Sequence, residues 1–228
     1  QADVEDVYFL PVYGVKGKIT IDYTAFSSSN SDLGSGKISL TVRSKTASSK
    51  FTDVTAKNVG SWAADSIDFC ADNDLVNGKS TYSFAPKDNL TRGQLVAILY
   101  RAAGSPSVTG TSNPFNDVKT GDYYYNAVLW AYKNDVVNGT GAGKFSPNAN
   151  VTREQIAAIL YRYMGSPAAT GSLSGYTDRS KISSWATTAM QWAIGKGYIT
   201  GTSSTTLDPL GQATRAQAAV MLHRFLTK

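Results

Sequence analysis

The run Phe84-Ala85-Pro86-Lys87-Asp88-Asn89-Leu90-Thr91-Arg92-Gly93-Gln94 decides how this chain is read, because its pattern returns twice. Residues 145–155 carry it from Phe145 and Pro147 to Thr152, Arg153 and Gln155. Residues 207–217 carry it from Leu207 and Pro209 to Thr214, Arg215 and Gln217. Thr-x-x-Gln ahead of an apolar run is a capping box. The threonine hydroxyl accepts from the amide three residues on, and the glutamine reaches back to the threonine amide. Each copy therefore predicts a helix start. Behind it the apolar residues recur with helical period: Leu95, Ile98, Leu99 and Ala102, then Ile156, Ile159, Leu160 and Tyr163, then Ala218, Met221, Leu222 and Phe225. His223 aligns with Tyr100 and Tyr161 and reads as a structural aromatic.

Upstream, the offsets hold. A glycine stands fourteen residues before each arginine, in Asn77-Gly78, Asn138-Gly139 and Thr200-Gly201. Glycine readily takes φ > 0, so these pairs read as turns. Sixteen residues before each glycine comes Trp62, Tyr123 or Trp185, and each copy opens on aromatic-x-Asp, at Phe51-Thr52-Asp53, Phe115-Asn116-Asp117 and Tyr176-Thr177-Asp178. A first helix is predicted over 61–73, 122–134 and 184–196. In the first copy Ala63, Ile67, Cys70 and Asp74 fall on one stripe. Cys70 aligns with Ala131 and Ala193 and reads as a small packing residue. The polar linkers 104–113 and 165–175 read as unpacked connections. Spacing this constant means one helix-loop-helix unit used three times, at 51–104, 115–165 and 176–228.

Composition narrows the function. The 228 residues carry a formal charge of +5, 42% hydrophobic and 17% charged residues, a globular profile. One cysteine excludes an internal disulfide, and one histidine argues against a histidine metal cluster or triad. The basic residues are scattered, so no nucleic-acid partner is expected. No apolar run reaches membrane-spanning length, and no membrane insertion is expected. Gln1 reads as a processed or cloned end. Asp53, Asp65, Asp68, Asp72 and Asp74 could imitate a glycosidase pair, but only Asp53 recurs at the matching place. The others read as a solvated helix face, so no catalytic residue, cofactor or metal is expected.

Arginine at the first helical position opposes the helix dipole, yet all three copies have it. One reading is an anion site, a guanidinium beside free helix amides, with Gly78, Gly139, Gly201, Gln94, Gln155 and Gln217 around it. Glu154 beside Arg153 would make the second site the weakest electrostatically. The other reading is an ion pair of Arg92, Arg153 and Arg215 with Asp53, Asp117 and Asp178. Trp62, Tyr123 and Trp185 are either core or stacking platforms for sugar rings. Phe69, Trp130 and Trp192 read as core.

The order aromatic-x-Asp, Trp or Tyr, Asn/Thr-Gly, Phe-x-Pro, Thr-Arg-x-Gln resembles the S-layer homology domain. Thr91-Arg92-Gly93-Gln94, Thr152-Arg153-Glu154-Gln155 and Thr214-Arg215-Ala216-Gln217 match that family's Thr-Arg-Ala-Glu-like hallmark. The resemblance implies three helix-loop-helix repeats in a mainly α-helical pseudo-threefold spindle, which with the strand-like residues 1–50 makes an α+β chain. It implies grooves between repeats and non-covalent anchoring, at the cell surface, to an anionic secondary cell-wall polysaccharide, often one bearing a pyruvate ketal. The arginines would meet the ketal carboxylate. Gln for the frequent Glu, Leu207 for Phe and Arg179 for an apolar residue depart from the family, so equal grooves are not expected.

Residues 1–50 differ. Ile19, Ile21 and Tyr23, and then Ile38, Leu40 and Val42, alternate with polar residues as in antiparallel strands, with 7–13 a third strand and 27–36 a loose loop. Such a segment is not an independent domain. It is either the end of a larger β-domain or an assembly element completed by the repeats or by another copy. The alternative function is therefore a structural subunit of an S-layer or filament that self-associates through residues 1–50.

Overall fold

The computed structural model describes residues 17–26, 29, 31–42, 48–59 and 61–228. Contacts divide the chain into two units, residues 1–45 and 46–228.

In the first unit, β1 (Gly17–Phe26) pairs antiparallel with β2 (Asp32–Val42). The register opposes Ile19 to Leu40 and Ile21 to Ile38, and it shifts between Ala25 and Phe26. The expected loop over 27–36 is shorter, because strand pairing already begins at Asp32, whose carboxylate accepts from the Gly34 amide. The third strand expected at 7–13 lies outside the described residues.

The second unit is helical: α1 (Ser61–Asp72), α2 (Arg92–Ala102), α3 (Tyr125–Lys133), α4 (Arg153–Tyr163), α5 (Thr187–Gly195) and α6 (Arg215–Thr227). The even-numbered helices begin where the capping boxes place them. In each, the threonine accepts from the glutamine amide and the glutamine carbonyl accepts from the threonine amide. First helices are less uniform. α3 starts three residues later than expected, and a short 3-10 turn at Ser184–Ala186 precedes α5. α1 ends at Asp72, so Asp74 leaves the predicted stripe with φ +55° and is exposed.

The repeats close on each other. α3 packs on α2, α5 on α4, and α1 of the first repeat on α6 of the last. At the cap end the Leu90 amide donates to Ala213 O, Ala213 to Val151 O, and Val151 to Leu90 O, each at 2.9–3.0 Å. This circuit of three backbone hydrogen bonds joins all three repeats. Inside lie Ile67, Leu95, Leu99, Ile156, Leu160, Met190, Trp192 and Leu222. Cys70 is buried there as expected, its thiol pushed up to about 12 by burial and hence inert.

Two expectations are corrected. Asp68 is not on a solvated face but fully buried, accepting from the Ser49 amide and from the Ser48 and Ser49 hydroxyls. A buried carboxylate needs such donors. The second linker does pack: Leu173 is buried, and a Cβ at Gly171 would stand 2.0 Å from Gln191 O on α5, so only glycine lets the strands of chain approach. In the first linker Pro106 O accepts from the Tyr100 hydroxyl.

Candidate functional site: three inter-repeat grooves

Each capping arginine reaches into the next repeat. Arg92 Nε donates to Phe145 O at 3.0 Å, Arg153 Nε to Leu207 O at 2.7 Å and Arg215 Nε to Phe84 O at 2.8 Å. The opening aspartates hold the amide side of the same residues. Asp53 accepts from Phe84 and Ala85, Asp117 from Phe145 and Ser146, and Asp178 from Leu207 and Asp208. Arginine and aspartate thus grip one peptide stretch from opposite sides, and the ion pair weighed from the sequence is not formed. Burial would raise these carboxyls, but the amides outweigh it and hold all three below the usual carboxylate range.

The free helix amides expected beside the arginines are not free. The Arg92, Arg153 and Arg215 amides donate to Ala149, Gly211 and Asp88 carbonyls, and the next amides donate to Pro147, Pro209 and Pro86 carbonyls. With the third amide on the helix's own capping threonine, each helix N-terminus is fully occupied by its neighbour and its cap. The N-termini hold the repeats together and do not present an anion site of their own.

What remains open is the side of the guanidinium facing outward. Around it the chain forms three similar grooves, each drawn from all three repeats. Arg215, Asn77, Gly78, Gln94, Arg101 and Tyr123 line one of about 280 Å³. Arg92, Asn138, Gly139, Gln155, Arg162 and Trp185 line another of about 350 Å³. Arg153, Thr200, Gly201, Gln217, Arg224 and Trp62 line the third, of about 240 Å³. Trp62, Tyr123 and Trp185 are 52%, 66% and 54% exposed, platforms and not core, whereas Trp130 and Trp192 are buried. Twelve of the fifteen residues singled out from the sequence meet in the grooves, and Asp53, Asp117 and Asp178 stand behind them.

The S-layer homology domain matches the chain three times, at residues 50–96, 114–157 and 175–219. The chain belongs to the S-layer homology family. It is 32% identical over 176 residues to an amylopullulanase of Thermoanaerobacterium thermosulfurigenes, covering 73% of this chain and 9% of that protein. It is 28% identical over 172 residues to a surface-layer 125 kDa protein of Lysinibacillus sphaericus, covering 73% and 14%. It is 24% identical over 153 residues to a cellulosome-anchoring protein of Acetivibrio thermocellus, covering 64% and 34%. The chain thus corresponds to a minor part of these relatives.

In this S-layer homology chain, sequence reasoning missed a second arginine per groove. Gln94, Ala97, Ile98 and Arg101 form one helix face at i, i+3, i+4 and i+7, repeated by Gln155 to Arg162 and Gln217 to Arg224. Within each copy the second arginine follows the capping arginine by nine residues, an interval visible in all three copies, although the two line different grooves. The glycines have a packing reason: Cβ atoms at Gly78 and Gly139 would meet the Phe51 and Phe115 rings at 2.8 and 2.7 Å. Glu154 is buried and turned to the Ser183 amide and hydroxyl. Among the described residues no cluster of three His, Cys, Asp or Glu could hold a metal ion, and no helix is long and apolar enough to cross a membrane.

Proposed function

We propose that residues 51–104, 115–165 and 176–228 act together as one pseudo-threefold, non-catalytic anchoring module that binds an anionic secondary cell-wall polysaccharide in the inter-repeat grooves. The carrying observation is the coincidence, three times, of two arginines and an exposed aromatic ring in one groove. A sugar places its apolar C–H face on the ring, and its acidic substituent faces the guanidinium groups, which prefer planar oxyanions such as a pyruvate-ketal carboxylate. Gln94, Gln155 and Gln217 use their carbonyl oxygens on the caps, leaving the amide donors for sugar hydroxyls. A glutamate would close the same cap but set a negative charge at the wall of an anion groove.

A location at the cell surface follows from family membership. The test is co-sedimentation with purified wall sacculi before and after chemical removal of the secondary polysaccharide. Binding should be present before removal and absent after. Equal binding to both preparations, or to neither, contradicts the proposal.

A second reading, self-association through residues 1–50, is favoured by the two-stranded β1–β2 sheet, each strand of which pairs on one side only among the described residues. It predicts concentration-dependent assembly that disappears when residues 1–45 are deleted. A monodisperse full chain at high concentration contradicts it.

A further inference from the structure

The three grooves share a plan but not a hydrogen-bond state. In the groove of Tyr123, Arg215 Nη2 donates to Asn77 O at 2.9 Å and Arg101 Nη1 to Leu75 O at 3.0 Å. In the groove of Trp62, Arg153 Nη2 donates to Thr200 O at 2.6 Å and Arg224 Nη1 to the Thr200 hydroxyl at 3.1 Å. In the groove of Trp185 neither arginine is held this way. Of the Arg92 side chain only Nε is committed, to Phe145 O, and the Arg162 side chain makes no hydrogen bond or ion pair among the described residues.

The backbone differs at the same spot. Gly139 has φ +79°, whereas Gly78 and Gly201 lie outside the left-handed region. The Asn138–Gly139 turn is therefore shaped differently from Asn77–Gly78 and Thr200–Gly201, whose carbonyls take the arginines of the other two grooves. Charge follows the same division. The charged groups acting on Arg215 (Asp88 and Asp53) and on Arg153 (Asp208 and Asp178) all favour the cation, whereas on Arg92 the cation Arg162 opposes Asp117. Arg92 is as buried as Arg215 and Arg153, but here the terminal nitrogens are uncommitted and have little access to water outside the groove they line. This groove is also the largest of the three.

From these differences, and resting on the anchoring function above, we infer that the groove formed by Arg92, Arg162 and Trp185 is the primary anion site, clamping a sugar-borne oxyanion with two free oxygens between the two guanidinium groups. The other two are secondary sites, whose arginines must first exchange a protein partner for the ligand. A geminal carboxylate on the ring and a phosphodiester between residues share this chemistry.

The exposed tryptophans supply separate reporters. Trp185 lies in the primary groove and Trp62 in another, while Trp130 and Trp192 are buried. The full chain, labelled with ¹⁵N, is titrated with a methyl hexopyranoside carrying a pyruvate ketal and, in a second arm, with a methyl hexopyranoside phosphodiester. The Trp185 indole N–H should reach its midpoint at a concentration about tenfold below that of Trp62, a difference the size of one charge-assisted hydrogen bond. The arm that produces this identifies the anion. Arg162→Gln should weaken the Trp185 response about tenfold and leave that of Trp62 unchanged, while Arg224→Gln does the reverse. The unfolding midpoint of each variant guards against a folding defect. Equal midpoints for both indoles, or no selective effect of Arg162→Gln, overturn the ranking of grooves. Failure of both indoles to move with either compound, together with absent binding to sacculi, overturns the anchoring function itself.

Discussion

Asp117 shows how much one side chain fixes at a groove. Its carboxylate holds the Phe145 and Ser146 amides at 2.8 Å, and the carbonyl of that same Phe145 receives Arg92. Asp117→Ala leaves both amides without their acceptor and should lower stability by about 1–3 kcal/mol in urea unfolding. Because its folded pKa lies below the ordinary value of 3.8, the carboxylate contributes fully above that pH. The contribution is lost as pH falls further, so the variant should show a shallower acid loss below about pH 4 than the parent.

His223 titrates with the opposite charge change. It is buried between α6 and α1, hydrogen-bonded to Ser66 at 2.9 Å and stacked on Phe69 at 4.2 Å. Burial lowers its pKa below 6.5, with Asp65 opposing and Arg224 adding to the shift. The unfolded chain therefore takes up the proton first, and stability falls as pH drops below 6.5 toward the folded value. His223→Tyr, which installs the residue of the equivalent positions 100 and 161, should remove the part of the loss between pH 7.5 and 5 that this proton causes. An unchanged loss would assign it elsewhere.

At the scale of elements, the capping boxes were readable because every bond in them lies within four residues. Thr152→Ala should cost about 1 kcal/mol, read as a shifted urea midpoint. The partners of the first two helix amides were not readable, because they belong to loops of another repeat, 54 to 130 residues away in sequence. For the same reason the sequence left Arg92, Arg153 and Arg215 divided between two readings and placed the aspartates among the site residues. The second arginines were in principle legible. Their helix face was hidden because Ile98, Ile159 and Met221, which are buried, had already been assigned to the core stripe. Gly139→Ala would place a Cβ 2.6 Å from Lys144 O at a left-handed φ, and should destabilise the second repeat while distorting the groove of Trp185.

For the helical unit as a whole, closure of its three repeats is the organising fact. The last helix packs on the first, and every groove takes an arginine, a turn and an aromatic from different repeats. Deleting residues 176–228 removes the partner of α1 and should abolish cooperative unfolding of the remaining repeats, measured by circular dichroism. Native-like unfolding of the truncated chain would contradict the closed arrangement. The threefold repetition was legible from its fixed offsets, but the closing of the third repeat on the first was expected only from the family resemblance, since no local pattern encodes which neighbour a helix end will meet.

The most direct test of groove binding uses side chains whose loss leaves the core intact. Trp62→Ala, Tyr123→Ala and Trp185→Ala are combined in one chain, with Tyr82→Ala as a control at an equally exposed aromatic outside these three grooves. Binding isotherms are then measured on sacculi that retain the polysaccharide. The triple variant should keep the parent's unfolding midpoint and lose at least about tenfold in affinity, with the control unchanged. Parental affinity in a folded triple variant would contradict the assignment of the polysaccharide to the grooves.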